Sequence, residues 1–161
     1  MLNHETLVSL LDYEPDTGQF RWRVDRYRSR KGTIAGCINP TDGYWRIKIK
    51  GRNYYAHKLA WFYVTAKFPT FHLDHKNTIK CDNRFENLRP ASRSLNGANR
   101  RKPRNNTSGF KGVSTWPSGR WFARIRYSGK LHHLGTFDDP AVAHVVYVEA
   151  AKRLFGEFAR V

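Results

Sequence analysis

With 161 residues the chain has room for one medium domain or two small ones, and its 40% hydrophobic content supports a packed core rather than disorder. Lys and Arg number 29 against 13 Asp and Glu, and the resulting formal net charge of +16 asks for a polyanionic partner. No apolar run approaches the roughly 20 residues of a spanning helix, the N-terminus lacks the basic start of a secretory signal, and the isolated Cys37 and Cys81 exclude a cysteine-ligated structural zinc and read as free thiols of a reducing, cytoplasmic setting.

In chain order, Glu5 to Leu11 predicts a short helix with Leu7, Leu10 and Leu11 on one face. Pro15 to Gly18 form a turn, and Gln19 to Val24 read as a strand. After a basic, glycine-containing loop, Trp45, Ile47 and Ile49 alternate with Arg46, Lys48 and Lys50, the pattern of a half-buried strand. Gly51-Arg52 turns the chain so that Asn53 to Ala56 pairs back as a hairpin, whose basic face is either a DNA contact or a solvated surface. His57 to Ala66 has helical character. Trp22, Trp45 and Trp61 read as core residues. A second helix is expected from Ser92, a good N-cap, to about Arg101, weakened at Gly97.

The stretch from 101 to 108 is basic and polar, the best linker in the chain. Beyond it, Lys111 to Thr115, Arg120 to Tyr127 and Lys130 to Phe137 read as three strands separated by Pro-Ser-Gly and Ser-Gly turns. Pro140 to Phe155 closes the chain as a helix capped by Asp138 or Asp139, with an inner stripe of Ala143, Tyr147, Ala150 and Leu154 and a stop at Gly156. The fold class is therefore α+β.

Charge is placed unevenly. From Asn87 through Phe137 there is no acidic residue, while Arg89, Arg93, Arg100, Arg101, Lys102, Arg104, Lys111, Arg120, Arg124, Arg126 and Lys130 all fall there. A merely solvated surface mixes signs, so this stretch reads as an anion-binding face. In the predicted middle strand Phe122, Arg124 and Arg126 share one face and Ala123, Ile125 and Tyr127 the other. A three-stranded sheet backed by one helix leaves such a basic face free to enter a DNA major groove. A-form RNA offers side chains no such groove, which disfavours an RNA-binding reading.

Chemistry concentrates between Asp74 and Asn96. Asp74 and His75 are adjacent, Asn87 follows a turn-rich loop and Asn96 falls in the predicted helix. A carboxylate with an amide oxygen can hold a hard cation such as magnesium and leave positions open for phosphate and water. A neutral histidine beside them can take a proton from water, its ordinary pKa being roughly 6.5.

This segment resembles the HNH endonucleases, specifically the phage and intron-associated homing type of the H-N-N variant. The likeness rests on Asp74-His75, the text DNRFENLR from Asp82 to Arg89, Asn96, and the lead-in AHKLAWFYV from Ala56 to Val64. By that resemblance the core is a two-stranded ribbon and a helix around one divalent metal, over about residues 72–101. Asp74 and Asn96 would be the ligands, His75 the general base, and Asn87 a residue bonding across the loop to fix the ribbon and orient His75. Magnesium is the expected ion, with manganese as the alternative. Arg93, on the helix of Asn96, would clamp the scissile phosphate or bind backbone. Asn99 is a rival ligand, His57 reads as structural with a DNA contact as the alternative, and His72 reads as an exposed or structural histidine.

Residues 106–161 resemble the APETALA/ethylene-response-factor DNA-binding domain, through GFKGV, RWFARI, HLGTFDD and the LFGE ending. That likeness puts Lys111, Trp116, Arg124, Arg126 and His133 on a DNA-facing sheet. Ser114 stands where plant members carry a base-reading arginine, so their target sequence does not transfer.

The expected organisation is a nuclease part over 1–101, a linker over 102–108 and a DNA-binding domain over 109–161. Arg93, Arg100 and Arg101 add to the DNA-binding set. The expected protein is a metal-dependent endonuclease of phage or bacterial origin that acts on double-stranded DNA, as a monomer rather than a dimer. It has no membrane partner and no small-molecule substrate. The rival is a non-catalytic, sequence-specific DNA-binding regulator.

Overall fold

The computed structural model describes residues 2–161 and divides into two compact units, the first ending at Pro90 and the second spanning Ala91–Val161. Helices and small antiparallel sheets are mixed, as the α+β reading expects.

In the first unit, α1 (His4–Leu10) starts at Asn3, whose side chain accepts from the Thr6 amide at 2.9 Å. The chain then turns into β1 (Leu11–Glu14), which pairs antiparallel with β2 (Gln19–Trp22) through the Pro15–Gly18 turn. The expectation for this region lacked β1. Its alternation of buried Leu11 and Tyr13 with exposed Asp12 and Glu14 is a strand pattern that the preceding leucines obscure. Gly18 has φ +71°, and an added Cβ would sit 2.4 Å from the Arg84 amide nitrogen. Only glycine lets this turn approach the 83–84 loop so closely.

A second sheet has the order β3 (Cys37–Ile38), β4 (Trp45–Ile49), β5 (Arg52–Tyr55), all antiparallel. Ile47 and Ile49 are buried and Lys48 exposed, as the alternation predicts. α2 (Ala56–Thr65) follows without a break. The core joins Leu7, Leu11, Tyr13, Phe20, Trp22, Ile47, Ile49, Leu59, Ala60 and Phe62, with Trp45 and Trp61 packed against it. Both sheets and both helices are thereby fastened together by apolar burial. β6 (His72–His75) pairs with β7 (Leu88–Ala91) as a two-stranded ribbon.

The second unit begins with α3 (Arg93–Ala98), capped by Ser92, whose Oγ accepts from the Leu95 amide at 3.2 Å. The helix ends three residues before the expected Arg101. β8 (Val113–Thr115), β9 (Trp121–Tyr127) and β10 (Lys130–Phe137) form an antiparallel sheet with β9 in the centre. α4 (Pro140–Phe155) begins at Asp139, whose side chain accepts from the Ala141 amide at 2.7 Å, and stops at Gly156. Ala123 and Ile125 of β9 pack on Ala143, Tyr147, Ala150, Ala151 and Phe155. Leu95 and Ala98 belong to this same cluster, which is why the second unit starts ahead of α3 and not at the basic 102–108 stretch. Gly112, at φ +78°, lies under Tyr147, whose Cδ2 would be 2.1 Å from an added Cβ.

Candidate active site

Asp74 and His75 occupy the last two positions of β6, and both are buried. Arg89, on the paired strand β7, reaches the Asp74 carboxylate through Nε at 3.0 Å and Nη2 at 2.9 Å, both bonds landing on Oδ2. Each of these side chains is about 10% exposed. The ion pair holds the carboxylate in place and compensates its charge where water hardly reaches. Arg89 was counted above among the anion-binding cations; its guanidinium is instead committed to Asp74.

His75 is enclosed. Burial moves its pKa below the ordinary value, opposed by a side-chain hydrogen bond with Asn83 and by the charges of Asp74 and Asp82. Burial thus favours the neutral ring, the form able to accept a proton. The His57 ring meets that of His75 edge-on, with centroids 5.1 Å apart, and Tyr44 lies 5.2 Å from His57 and 5.9 Å from His75. His57 is buried, with its Nδ1 lacking a hydrogen-bond partner. Burial first, then the charges of His75 and Lys58, push its pKa down to about 3, so it too is uncharged at neutral pH. Lys80 extends over the Tyr44 ring at 5.0 Å and donates to the Asp42 carbonyl at 2.8 Å, closing the edge of this aromatic cluster.

Asn87 ends a single 3₁₀ turn, Phe85–Asn87, just before β7. Its Oδ1 accepts from the Asn77 amide at 3.1 Å, and its Nδ2 donates to Asn77 Oδ1 at 3.1 Å and to the Asp82 carbonyl at 2.9 Å. Its own carbonyl accepts from the Lys76 amide at 2.9 Å. The side chain therefore spans the loop between the two ribbon strands, next to the residue that follows His75. Asp82 is tied to Arg84 and Asn77, which pull its pKa down to about 2 with Arg84 as the main cause. Asn83, Tyr44 and the pairing of Arg89 were not foreseen, while His57, read as structural, lies in this aromatic cluster. Only Arg89 carried a usable signal, an opposite charge on a strand expected to lie beside that of Asp74.

In the second unit, Asn96 lies in the middle of α3, and its Oδ1 is buried without a hydrogen-bond donor. A buried amide oxygen left in that state is costly unless something not made of protein completes it. It suits a hard cation, which takes oxygen ligands. Among the described residues no group of three or more His, Cys, Asp and Glu side chains is gathered as a metal site.

Six of the expected DNA-binding residues, Arg93, Arg100, Arg101, Lys111, Arg124 and Arg126, line one cleft of about 780 Å³ between α3 and the sheet. The other two, Trp116 and His133, meet Arg124 around the Phe122 ring. Trp116 meets it at a tilt with centroids 4.5 Å apart, the Arg124 guanidinium lies 5.3 Å from its centroid, and His133 lies 6.1 Å away. Lys111 departs from its expected place. Its ammonium is half-buried and donates to the carbonyls of Ala98 at 2.6 Å and Arg160 at 2.5 Å, so it holds main chain together. Burial pushes its pKa down to about 8.

Residues 54–98 match the family model for HNH endonuclease. That part of the chain is similar to HNH endonuclease domains, a class of nuclease that generally uses a divalent metal and whose implied substrate is DNA. The chain belongs to the same family as Protein 3.8 of Escherichia phage T7, to which it is 31% identical over 107 residues, 65% of this chain and 87% of the phage protein. Over 62 residues, 37% of this chain, it is 47% identical to the ethylene-responsive transcription factor ERF084 of Arabidopsis thaliana, of which it spans about a quarter (24%). No solved structure matches. No helix among the described residues is long and apolar enough to cross a membrane.

Proposed function

We propose that the protein is a metal-dependent DNA endonuclease in which His75 takes the proton from the attacking water. The observation that carries this reading is the enclosure of His75 on the ribbon. Burial favours its neutral ring, and it is adjacent to an Asp74 carboxylate fixed by Arg89. Asn87 positions the ribbon through its bonds across the loop. Asp74 and Asn96 would hold one divalent cation, magnesium or manganese, and the orphaned Asn96 oxygen fits that task. When bound, the cation offsets charge on the phosphate and on the leaving 3′ oxygen.

Arg93, Arg100, Arg101, Arg124 and Arg126 would grip phosphates along their cleft, with Trp116 and His133 beside them on the sheet. The functional parts are taken as read from sequence, 1–101 and 109–161 around a 102–108 linker, with α3 packing in the compact C-terminal unit. One site per chain gives nicking by a monomer.

The test is supercoiled plasmid with magnesium. Wild-type protein should yield open circles, while Asp74→Asn and His75→Ala should bind the same DNA and leave it intact. Nicking by both variants at the wild-type rate would refute the site. The identity to a transcription factor keeps a second reading in play, a DNA-binding regulator that does not cut. Tight binding by the wild-type chain with no cleavage in magnesium or manganese would establish it.

A further inference from the structure

Between β2 and β3 the first unit carries a finger that the proposed chemistry does not use. Arg26 and Ser29 exchange both main-chain hydrogen bonds, at 2.8 and 3.2 Å, which leaves Tyr27 and Arg28 as the two tip residues of a tight hairpin. The base of the finger is fastened to the body of the unit. The Arg26 guanidinium lies 3.9 Å from the centroid of the Trp22 ring, and its Nη1 donates to the Lys48 carbonyl of β4 at 3.1 Å. Asp25 accepts from the Lys31 amide at 2.9 Å, and the Trp22 carbonyl accepts from the Gly32 amide at 2.7 Å.

The tip has the opposite character. Tyr27 is 96% exposed, and among the described residues its ring contact is the Arg28 guanidinium, 5.7 Å from its centroid. Arg28, Arg30 and Lys31 are exposed and form no ion pair among the described residues. Asp25 is the one acid between Gly18 and Thr41, and it is turned to a backbone amide. A fastened turn thus holds a bare aromatic ring in water between unpaired cations, and the ring contributes nothing to the packing of the fold.

We propose that this finger is a second DNA contact, with Tyr27 stacking on an exposed base at an opened step of the duplex and Arg28, Arg30 and Lys31 on the flanking phosphates. Every base presents a face to an aromatic ring, and inserted side chains open steps in bent duplexes. The proposal rests on the reading that DNA is the substrate, but its residues are separate from those that would cut or hold the metal.

The test uses the full chain in EDTA, titrated into a labelled duplex and read by fluorescence anisotropy at several salt concentrations. Tyr27→Ala should weaken binding about tenfold with the salt slope unchanged, while Tyr27→Phe should bind like wild type. Joint replacement of Arg28, Arg30 and Lys31 by Ala should lower the slope of log K against log salt by about 2 to 3. Melting temperatures should match wild type in all three, because the substituted side chains are exposed. Wild-type affinity and slope in both the Tyr27→Ala and the triple variant would overturn the finger and leave the DNA reading intact. Equal losses in Tyr27→Ala and Tyr27→Phe would replace stacking by a hydroxyl contact and overturn the proposal as stated. A wild-type chain that binds no DNA would overturn both.

Discussion

Replacing Arg89 by Met removes a guanidinium and retains most of the aliphatic volume. It takes the Arg89 ion pair away from the Asp74 carboxylate, which is about 10% exposed. Breaking a buried pair on one side costs about 3–5 kcal/mol, because the remaining buried charge loses its ion-pair compensation. The unit that carries the pair is about 90 residues long, and a domain of that size shifts by roughly 4 °C per kcal/mol, so a loss of about 12–20 °C in Tm is expected. The companion Asp74→Leu, Arg89→Met variant removes both charges. It should recover to within about 1 kcal/mol of wild type, since a buried pair is often no better than well-packed apolar side chains. The assay is urea unfolding followed by tryptophan fluorescence, with buried Trp22 as a reporter of the first unit. The reasoning fails if Arg89→Met stays within about 1 kcal/mol of wild type, or if the double variant is no more stable than the single one.

The depressed pKa of His57, about 3 against an ordinary 6.5, means that the unfolded chain binds a proton in that window which the folded chain does not. The stability it contributes is complete above about pH 6.5 and is lost as pH falls toward 3, at up to about 1.4 kcal/mol per pH unit. His57→Phe should flatten the urea midpoint between pH 6.5 and 4; an unchanged slope would remove His57 as the cause. Gly112→Ala forces a methyl group into the Tyr147 ring at a positive φ and should cost about 3 kcal/mol by thermal melting. Gly97→Ala, with no atom within 4 Å of the new methyl, should instead raise stability by up to about 1 kcal/mol. Joint replacement of Arg124 and Arg126 by Ala should weaken duplex binding and lower the salt slope by about 2, measured by anisotropy.

Much of this was legible because it is local. The Ile47 and Ile49 alternation marks β4, and the Ala143, Tyr147, Ala150 stripe with Asp139 and Gly156 at its ends delimits α4. Asp74, His75 and Asn87 were singled out through the resemblance to HNH endonucleases, and they lie on one ribbon strand and in the 3₁₀ turn before its partner. What stayed hidden depends on distance along the chain. Arg89 and Asp74 are separated by 14 residues, and His57 and His75 by 17, so neither pairing leaves a periodic trace. Local cues also misled. Ser92 correctly starts α3, but the basic residues after Ala98 look as helical as they look loop-like, and only the burial of Leu95 and Ala98 shows where that helix belongs. Lys111 was read by its charge, whereas its two carbonyl partners are set by the fold.

The bond from Lys111 to the Ala98 carbonyl has a bearing on how such chains can be recombined. A graft cut in the basic stretch at 102–108 would sever this ammonium from one of its two acceptors and strip Leu95 and Ala98 from the transplanted core. A crossover just before Ser92 would carry the cap, the helix and the clamp across intact. Asn96 would go with them, so the recipient would inherit one half of the proposed ligand pair together with the proposed DNA-binding unit. In a chain built this way, exchanging the proposed targeting module and exchanging half of the proposed ligand pair would then be a single event.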